Sequence, residues 1–496
     1  MNKKFPLYAL MCLMLWGIVS SCNDDNSNRD ADIYTTSYSS TLISAFSLGN
    51  NDNVLYNLDS VKFSINQDAG LIYNVDSLPV GTDVTHLTVS MTFPYTVQQA
   101  QFHVTGGKVM KDSTFDYKST TTDSIDFTGR VDLVVTSYDG NHTRTYNIKV
   151  NVHKMEPDTL YFNPSLRRDV PNVNGTLSAE KCVLQGSTYY CLTNDGGTYK
   201  LNSAANPGQG TWAVKVVDFP FTPAVNSLSA TSGALYILST GGELYRSTDA
   251  GTTWTDCGVT WHSLLGGWGD KALGVYYDGS TYRHDEYPRP QGYTLTEVED
   301  SFPVAEASPL TPATNEWTLT QQSMLFGGKS KSGNILATTW GYDGTNWGEI
   351  TDHKLQSGLP GMTEAVIVPY ATYSVDSTNH TATERVTWLL MGGKMQGGKL
   401  NNTTYVSYNQ GISWTQGGKL LQLPATMPAF YQAQAFVVYE TLTSSSSKAR
   451  RRSVTKPVTT WDVPYIYIVG GRGANGAQLG SVWKGVINRR MFRPIY

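Results

Sequence analysis

The sequence is short of charge, of cysteine and of helical periodicity, and each shortage excludes something. Only 16% of the 496 residues are charged and the formal net charge is −4. No basic surface is on offer to nucleic-acid phosphates, so nucleic acid is not expected as a partner. Five cysteines are too few for a disulfide scaffold in a chain of this length. There is no Gly-x-Ser-x-Gly elbow, phosphate loop or dinucleotide fingerprint. His262, His284, His353 and His380 lie far apart, with no His-x-x-x-His or Glu-x-x-His spacing, and the twelve-residue calcium loop is missing. No catalytic residue, cofactor or metal site is therefore expected. What is plentiful is 46 Gly, 30 Tyr and 12 Trp against 40% hydrophobic residues. That composition describes a folded, turn-rich chain, long enough for two or three domains.

The first residues suggest an address. Lys3 and Lys4 precede an apolar stretch from Phe5 to Val19, which is the pattern of a bacterial secretion signal and too short for a comfortable membrane span. It ends Ile18-Val19-Ser20-Ser21-Cys22, which resembles the lipobox of bacterial lipoproteins. That resemblance implies a signal peptide over 1–21 and a lipid anchor on Cys22, inserted in a bilayer through its acyl chains. Residues 22–32, with Asp24 and Asp25, read as an acidic polar tether. In Bacteroides-like bacteria acidic residues in that place resemble an export signal to the outer leaflet. An outer-membrane lipoprotein displayed at the cell surface is the expectation, with a periplasm-facing one as the alternative.

Residues 33–154 read as an immunoglobulin-like β-sandwich of about seven strands. Val61 to Ile65, Leu87 to Met91 and Phe102 to Val104 alternate with period two, so each can bury one face. Arg130 to Tyr138 and Asn141 to Val152 flank Asp139-Gly140, a pair suited to a two-residue hairpin turn. Met155-Glu156-Pro157-Asp158 ends this pattern.

From residue 158 to 496 the sequence repeats, and two motifs carry the repeat. One is an apolar strand running into paired glycine: Met324 to Gly328, Trp388 to Gly393 and Tyr465 to Gly471. The other is a polar turn ending in tryptophan: Ser247-Thr248-Asp249-Ala250-Gly251-Thr252-Thr253-Trp254 and Ser407-Tyr408-Asn409-Gln410-Gly411-Ile412-Ser413-Trp414, with weaker copies at Asn194 to Gly197 with Trp212 and at Tyr342 to Trp347. Small sheets that cannot bury both faces alone do so by stacking round an axis. The chain is therefore expected to be all-β, a sandwich followed by a β-propeller of six blades beginning near residues 182, 233, 271, 323, 386 and 464, with five or seven as the alternatives because the third, around Leu273 to Tyr277, carries neither motif. Ring closure should pair Thr159 to Phe162 with the strand around Val482 to Ile487, removing free edges.

The turn ending in Trp254 resembles the Asp box of sialidases, sortilin-type receptors and related propellers; the second copy departs from it at Asn409. The paired-glycine strands resemble those of kelch propellers. Ser44 to Asn50, Asp123 to Gly129 and Tyr146 to His153 are similar to segments of a family of uncharacterised Bacteroides-type surface lipoproteins, a domain of unknown function. These resemblances imply architecture and location but no chemistry. An Asp box is a turn device, so Asp249, Gly251, Trp254, Asn409, Gly411 and Trp414 are expected to be structural. A sialidase would need arginines converging on a carboxylate, and Arg246, Arg283, Arg289, Arg385 and Arg472 form no recognisable pattern.

Counting back from a turn at Gly186-Ser187 places Cys182 opposite Cys191, so a cross-strand disulfide is one expectation and two buried thiols the other. Ser444 to Arg452 reads as a solvated basic loop. The loops around Trp268, His284 to Tyr287 and Trp340 to Trp347 put aromatics beside polar groups, as sugar sites and propeller cores both do. The functional expectation is a monomeric, lipid-anchored surface protein that binds or scaffolds a glycan or a partner protein. A glycan-directed hydrolase or lyase using the axial face is the alternative.

Overall fold

A computed structural model describes residues 37–118, 123–154, 156, 158–376, 381–443 and 460–488. Cys22 and the basic stretch 444–452 lie outside them. The chain divides into two compact units, Met1–Glu156 and Pro157–Tyr496.

Among its described residues the first unit holds eight strands. Six form one sheet in the order Phe63–Asn66, Leu71–Asn74, Thr143–Lys149, Arg130–Ser137, Val97–Thr105 and Asp112–Asp116, and Ala45–Leu48 pairs with Val89–Thr92 in a second. The six-plus-two division differs from the seven strands expected. Alternation does what it should along Arg130–Ser137, where Val131, Leu133 and Val135 are buried in one core with Phe102, Tyr146 and Ile148. The register around Asp139-Gly140 is the one expected, with Thr136 opposite Thr143. The turn itself is wider, because only Gly140 takes a positive φ, of 70°. Asp139 instead accepts the Asn141 amide at 3.0 Å, an Asx device that a right-handed residue can use.

The second unit is a ring of six antiparallel sheets. Blade 1 comprises Leu177–Gln185, Thr188–Asp195, Thr198–Ala204 and Ala213–Val216, and blade 2 Ser229–Ala230, Leu235–Leu238, Glu243–Ser247 and Thr255–Thr260. Blade 3 comprises Ser263–Trp268, Lys271–Tyr277, Tyr282–Tyr287 and Thr296–Glu297, and blade 4 Thr311–Thr314, Gln321–Phe326, Thr339–Tyr342 and Trp347–Glu349. Blade 5 comprises Val366–Val368, Trp388–Met391, Tyr405–Ser407 and Thr415–Gln416, with a hairpin of Ala371–Asp376 and Thr381–Val386 inserted after its first strand. Blade 6 has Gln434–Thr443, Thr460–Val469 and Ser481–Asn488. Its outer edge is covered by Thr159–Phe162, with Phe162 opposite Gly485, and by Arg168–Asp169. The closing strand is thus the one expected from the sequence. The blade starts are not: 271, 323 and 464 fall at or within second strands, 233 just before one and 386 at the end of the inserted hairpin, while the first strands of blades 2, 4 and 5 are only two to four residues long.

Packing explains the apolar runs. First strands of neighbouring blades lie side by side, so a second strand has a blade on each face. In Leu235–Leu238, Leu235 and Ile237 pack against blade 1, whereas Tyr236 and Leu238 pack against blade 3. Met324 and Phe326 face blade 5 while Leu325 faces blade 3. Strands covered on both sides read as continuous hydrophobic runs rather than alternating ones. Six such cores follow one another around the ring, and the one between blades 6 and 1 contains Tyr467, Val469, Val482, Cys182, Tyr189 and Cys191.

Candidate functional site

The two turns ending in tryptophan join third to fourth strands, in the outer half of blades 2 and 5. Ser247 Oγ donates to Asp249 Oδ1 at 2.8 Å and accepts the Gly251 amide at 2.9 Å. Asp249 Oδ1 also accepts the amides of Thr252 (3.0 Å) and Thr253 (2.9 Å), and Oδ2 accepts the Thr253 hydroxyl at 2.7 Å. These bonds, led by those from Thr253, hold the carboxyl well below the usual range. Ser407 and Asn409 repeat the arrangement, Asn409 Oδ1 accepting the Ser413 amide at 3.0 Å. Gly251 and Gly411 take φ of 76° and 86°, and side chains there would press on Leu201 and Thr339 of the preceding blade. Trp254 packs with Leu192 and Leu201, and Trp414 donates to Thr339 Oγ1 at 3.0 Å. Each box therefore fastens its own bend and pins its blade to the one before. The turn at Tyr342 to Trp347 occupies the same place in blade 4, with Asp343 accepting the amides of Thr345 and Asn346. The copy at Asn194 to Gly197 does not: it joins second to third strands, and Trp212 belongs to the next turn.

The paired glycines lie at the other end of the repeat, where the second strands of blades 4, 5 and 6 finish. Their φ values are 64° and 95° at Gly327-Gly328, 64° and 94° at Gly392-Gly393, and 67° and 97° at Gly470-Gly471. A side chain on the first of each pair would strike the following blade at Met362, Phe430 and Glu180 respectively. A basic residue comes next each time: Lys329, Lys394 and Arg472. Before the first strand of each of these blades stands a polar residue in left-handed conformation, Glu306, Glu364 or Gln432. These residues are stitched together, the Glu364 amide donating to Glu306 O at 2.8 Å and the Gln432 amide to Glu364 O at 2.9 Å. Seven side chains, counting Lys181 of blade 1, form one charged cluster, with Glu180 buried beside it.

The cluster is only partly neutralised. Lys329 meets Glu306 at 2.5 Å. Gln432 donates to Glu364 Oε1 at 2.6 Å and accepts from Arg472 Nε at 2.8 Å. Lys394 Nζ stands 4.5 Å from the centre of the Tyr431 ring. Burial raises the Glu364 pKa, Glu306 adds to the rise, and Lys394, Gln432 and Lys181 oppose it. Lys181 is half-buried, and loss of water pulls its pKa down to about 8 against the attraction of Glu364. Glu180 points the other way along the strand, into the seam between blades 1 and 6. It is 2% exposed and neither oxygen finds a hydrogen-bond partner of good geometry among the described residues. Burial pushes its pKa up to about 8, with the Gly480 and Gly471 amides and Arg472 drawing it only part of the way back. Perturbed acids and bases gathered in one place mark a candidate site. It was missed in the sequence because its members are scattered from 180 to 472. The basic residue following each Gly-Gly was the available signal.

Other sequence candidates fall elsewhere. Cys182 and Cys191 stand opposite each other as expected, but they are free buried thiols; the bridge between them is not formed. The aromatics around Trp268, His284 and Trp340 are not on an axial loop face. They lie on or beside strands of blades 3 and 4, where the Phe302 ring centre is 5.1 Å from those of Trp340 and Trp347. His284 is buried there, 3.0 Å from Glu299, and burial lowers its pKa. Arg283 and Arg289 pair with Asp278 and Asp285 of their own blade and Arg246 lies over Tyr236, so among these arginines with described side chains only Arg472 reaches the cluster. His380 lies outside the described residues, as does the Arg385 side chain. Among the described residues no three His, Cys, Asp or Glu side chains are placed to hold a metal ion. No helix among them is long and apolar enough to cross a membrane. An open cavity of about 550 Å³ beside Tyr38, Tyr138 and His142 belongs to the first unit.

Comparison with known proteins supports this architecture. Residues 34–150 match the family model described as the domain of unknown function DUF6242, N-terminal domain, and residues 156–495 match the DUF6242 beta propeller domain. No curated protein matches the chain. Among solved structures it is similar to YjhT, at 10% identity over 63% of this chain and 95% of that one, with a TM-score of 0.38. It is similar to YCF48 bound to D1 peptide, at 14% identity over 72% and 89%, with a TM-score of 0.28. It is also similar to the β-propeller domain of the Trilobed protease from Pyrococcus furiosus, at 9% identity over 82% and 99%, with a TM-score of 0.27. No activity follows from these likenesses. A β-propeller of this kind suits binding or scaffolding.

Proposed function

The chain belongs to the DUF6242 family, and from that premise we propose that it is a binding or scaffolding protein, lipid-anchored through Cys22 and displayed at the outer-membrane surface. Its ligand, a glycan or a partner protein, is received at the charged end of blades 4, 5, 6 and 1. The observation that carries this reading is the contrast between turns in which Asp249 and Asn409 spend their side-chain oxygens on their own bends and a cluster in which Lys181 and Lys394 form no ion pair with a carboxylate among the described residues. Half-exposed charges left open to an incoming group are what a binding surface needs. The Cys22 anchor is supported by the lipobox alone. Radiolabelled palmitate should be incorporated by the natural chain and not by Cys22→Ser, and globomycin should leave the chain heavier by its uncleaved signal; equal labelling of both chains, or of neither, would remove the anchor. For binding, a pull-down of solubilised envelope with the full chain and with Lys394→Met should yield a ligand that the variant loses. Equal recovery by both would move the site elsewhere.

A hydrolase or lyase is kept as the second reading by one observation. Glu364 is a carboxyl whose pKa burial and Glu306 raise, which is what a general acid requires. New reducing ends from a retained glycan, lost in Glu364→Gln, would establish it. Retention without turnover would leave the binding module.

A further inference from the structure

The chemistry of the cluster narrows the ligand further; the step rests on the binding reading above. Blades 4, 5 and 6 repeat one design, a base after the paired glycines facing a side chain in left-handed conformation before the first strand. In blade 4 the design is neutral, because Glu306 meets Lys329. In blade 5 Glu364 is the acid, but its Oε1 is occupied by Gln432 and Lys394 lies over Tyr431 instead. In blade 6 the acid is replaced by Gln432, so Arg472 hydrogen-bonds only neutral oxygens, those of Gln432, Gly476 (2.8 Å) and Ser178 (3.1 Å). Blade 1 then adds Lys181, which has no hydrogen bond or ion pair among the described residues. Lys181 and Lys394 thus share the field of a single carboxylate, Glu364, that is not already paired to a base, and Arg472 joins them through Gln432. Glu180 does not redress this, since it is buried in the seam, where loss of water outweighs the pull of Arg472 and of the Gly471 and Gly480 amides on its charge.

We propose that this end of the ring binds a carboxylated sugar, its carboxylate taken by Arg472, Lys181 and Lys394 and a neighbouring hydroxyl donating to Glu364 Oε2. The cationic excess calls for an anion, and the Arg472 guanidinium, fixed by three hydrogen bonds, still has two N–H groups to offer. An acidic peptide presents only carboxylates in quantity and would be repelled by Glu364 and Glu306. A uronic-type sugar offers an anion and hydroxyl donors together, matching cations interleaved with acceptors.

The test is titration of the full chain with an oligoglucuronate, a neutral oligoglucoside of the same length, and a polyglutamate peptide. The variants are Lys181→Met, which removes a cation with no partner, and Gln432→Glu, which gives blade 6 the acid that blades 4 and 5 already hold in the same backbone conformation. The expected result is binding of the oligoglucuronate alone, weakened about tenfold or more by either variant, as for loss of one charge-assisted contact, with the Lys181→Met protein still melting in a single cooperative transition. Equal affinity for the neutral oligosaccharide, or variants that bind as tightly as the natural chain, would overturn the anionic ligand while leaving a binding role in place. Preference for polyglutamate would overturn the sugar. If folded protein retains none of the three, the inference fails. The wider binding reading fails with it only if the envelope pull-down is also empty.

Discussion

The outer turns of blades 2 and 5 and the inner ends of blades 4 to 6 are built from the same kinds of residue, glycine in left-handed conformation beside a polar side chain, and they end in opposite states. In the outer turns Asp249 spends both oxygens on its own bend, and Trp254 and Trp414 disappear between blades. At the inner ends the glycines let blades approach closely, which brings charges from several blades together faster than they can be paired. A conspicuous motif is therefore self-sufficient, and a plain basic residue after Gly-Gly is left to act on something else.

The largest expected effect tests the structural side of that contrast. Trp414 is 0% exposed and bonded to Thr339, so Trp414→Ala should destabilise the propeller by about 3–5 kcal/mol, read from its urea midpoint. A loss under 1 kcal/mol would mean the boxes do not pin blades. Next in size is Glu180→Gln. The folded pKa near 8 lies above the ordinary 4.5, so the stability this carboxyl contributes is fully present below pH 4.5, is lost as pH rises toward 8, and is level beyond. The variant should match the natural chain at pH 4.5 and exceed it at pH 8 by on the order of a few kcal/mol. Parallel melting curves across that range would show that Glu180 is satisfied after all, and the seam would then resemble the outer turns. The smallest effect is expected from Asp249→Asn, because Asn409 already makes the same turn by donating to Ser413 Oγ at 3.0 Å. Ligand retention should be unaltered and the thermal midpoint almost so; loss of binding would place Asp249 in a site and erase the distinction.

Much of the fold was legible. Alternation located five of the eight strands described in the first unit, missing Ala45–Leu48, Leu71–Asn74 and Asp112–Asp116, and apolar runs ending in Gly-Gly marked the second strands of blades 4, 5 and 6. Thr159–Phe162 was recognisable as the closing strand because a ring needs a partner for Ser481–Asn488. First strands such as Ser229–Ala230 and Thr311–Thr314 were not legible, being two to four residues long and largely polar. Blade 3 has neither motif, yet it forms a complete four-stranded sheet; burial between its neighbours, not a turn signature, shapes it. The charged cluster was invisible for a different reason. Its members are ordinary surface residues by type, and nothing local distinguishes Lys181 or Gln432.

Sequence by itself determined what depends on a few neighbouring residues: which segments extend, which turns demand glycine, and that Cys182 and Cys191 face each other across a hairpin. Only the tertiary structure decided which charges meet and which go without water. Coulombic attraction and desolvation depend on distance through space, and closing the ring sets that distance for residues nearly 300 positions apart, as when Arg472 donates to Ser178.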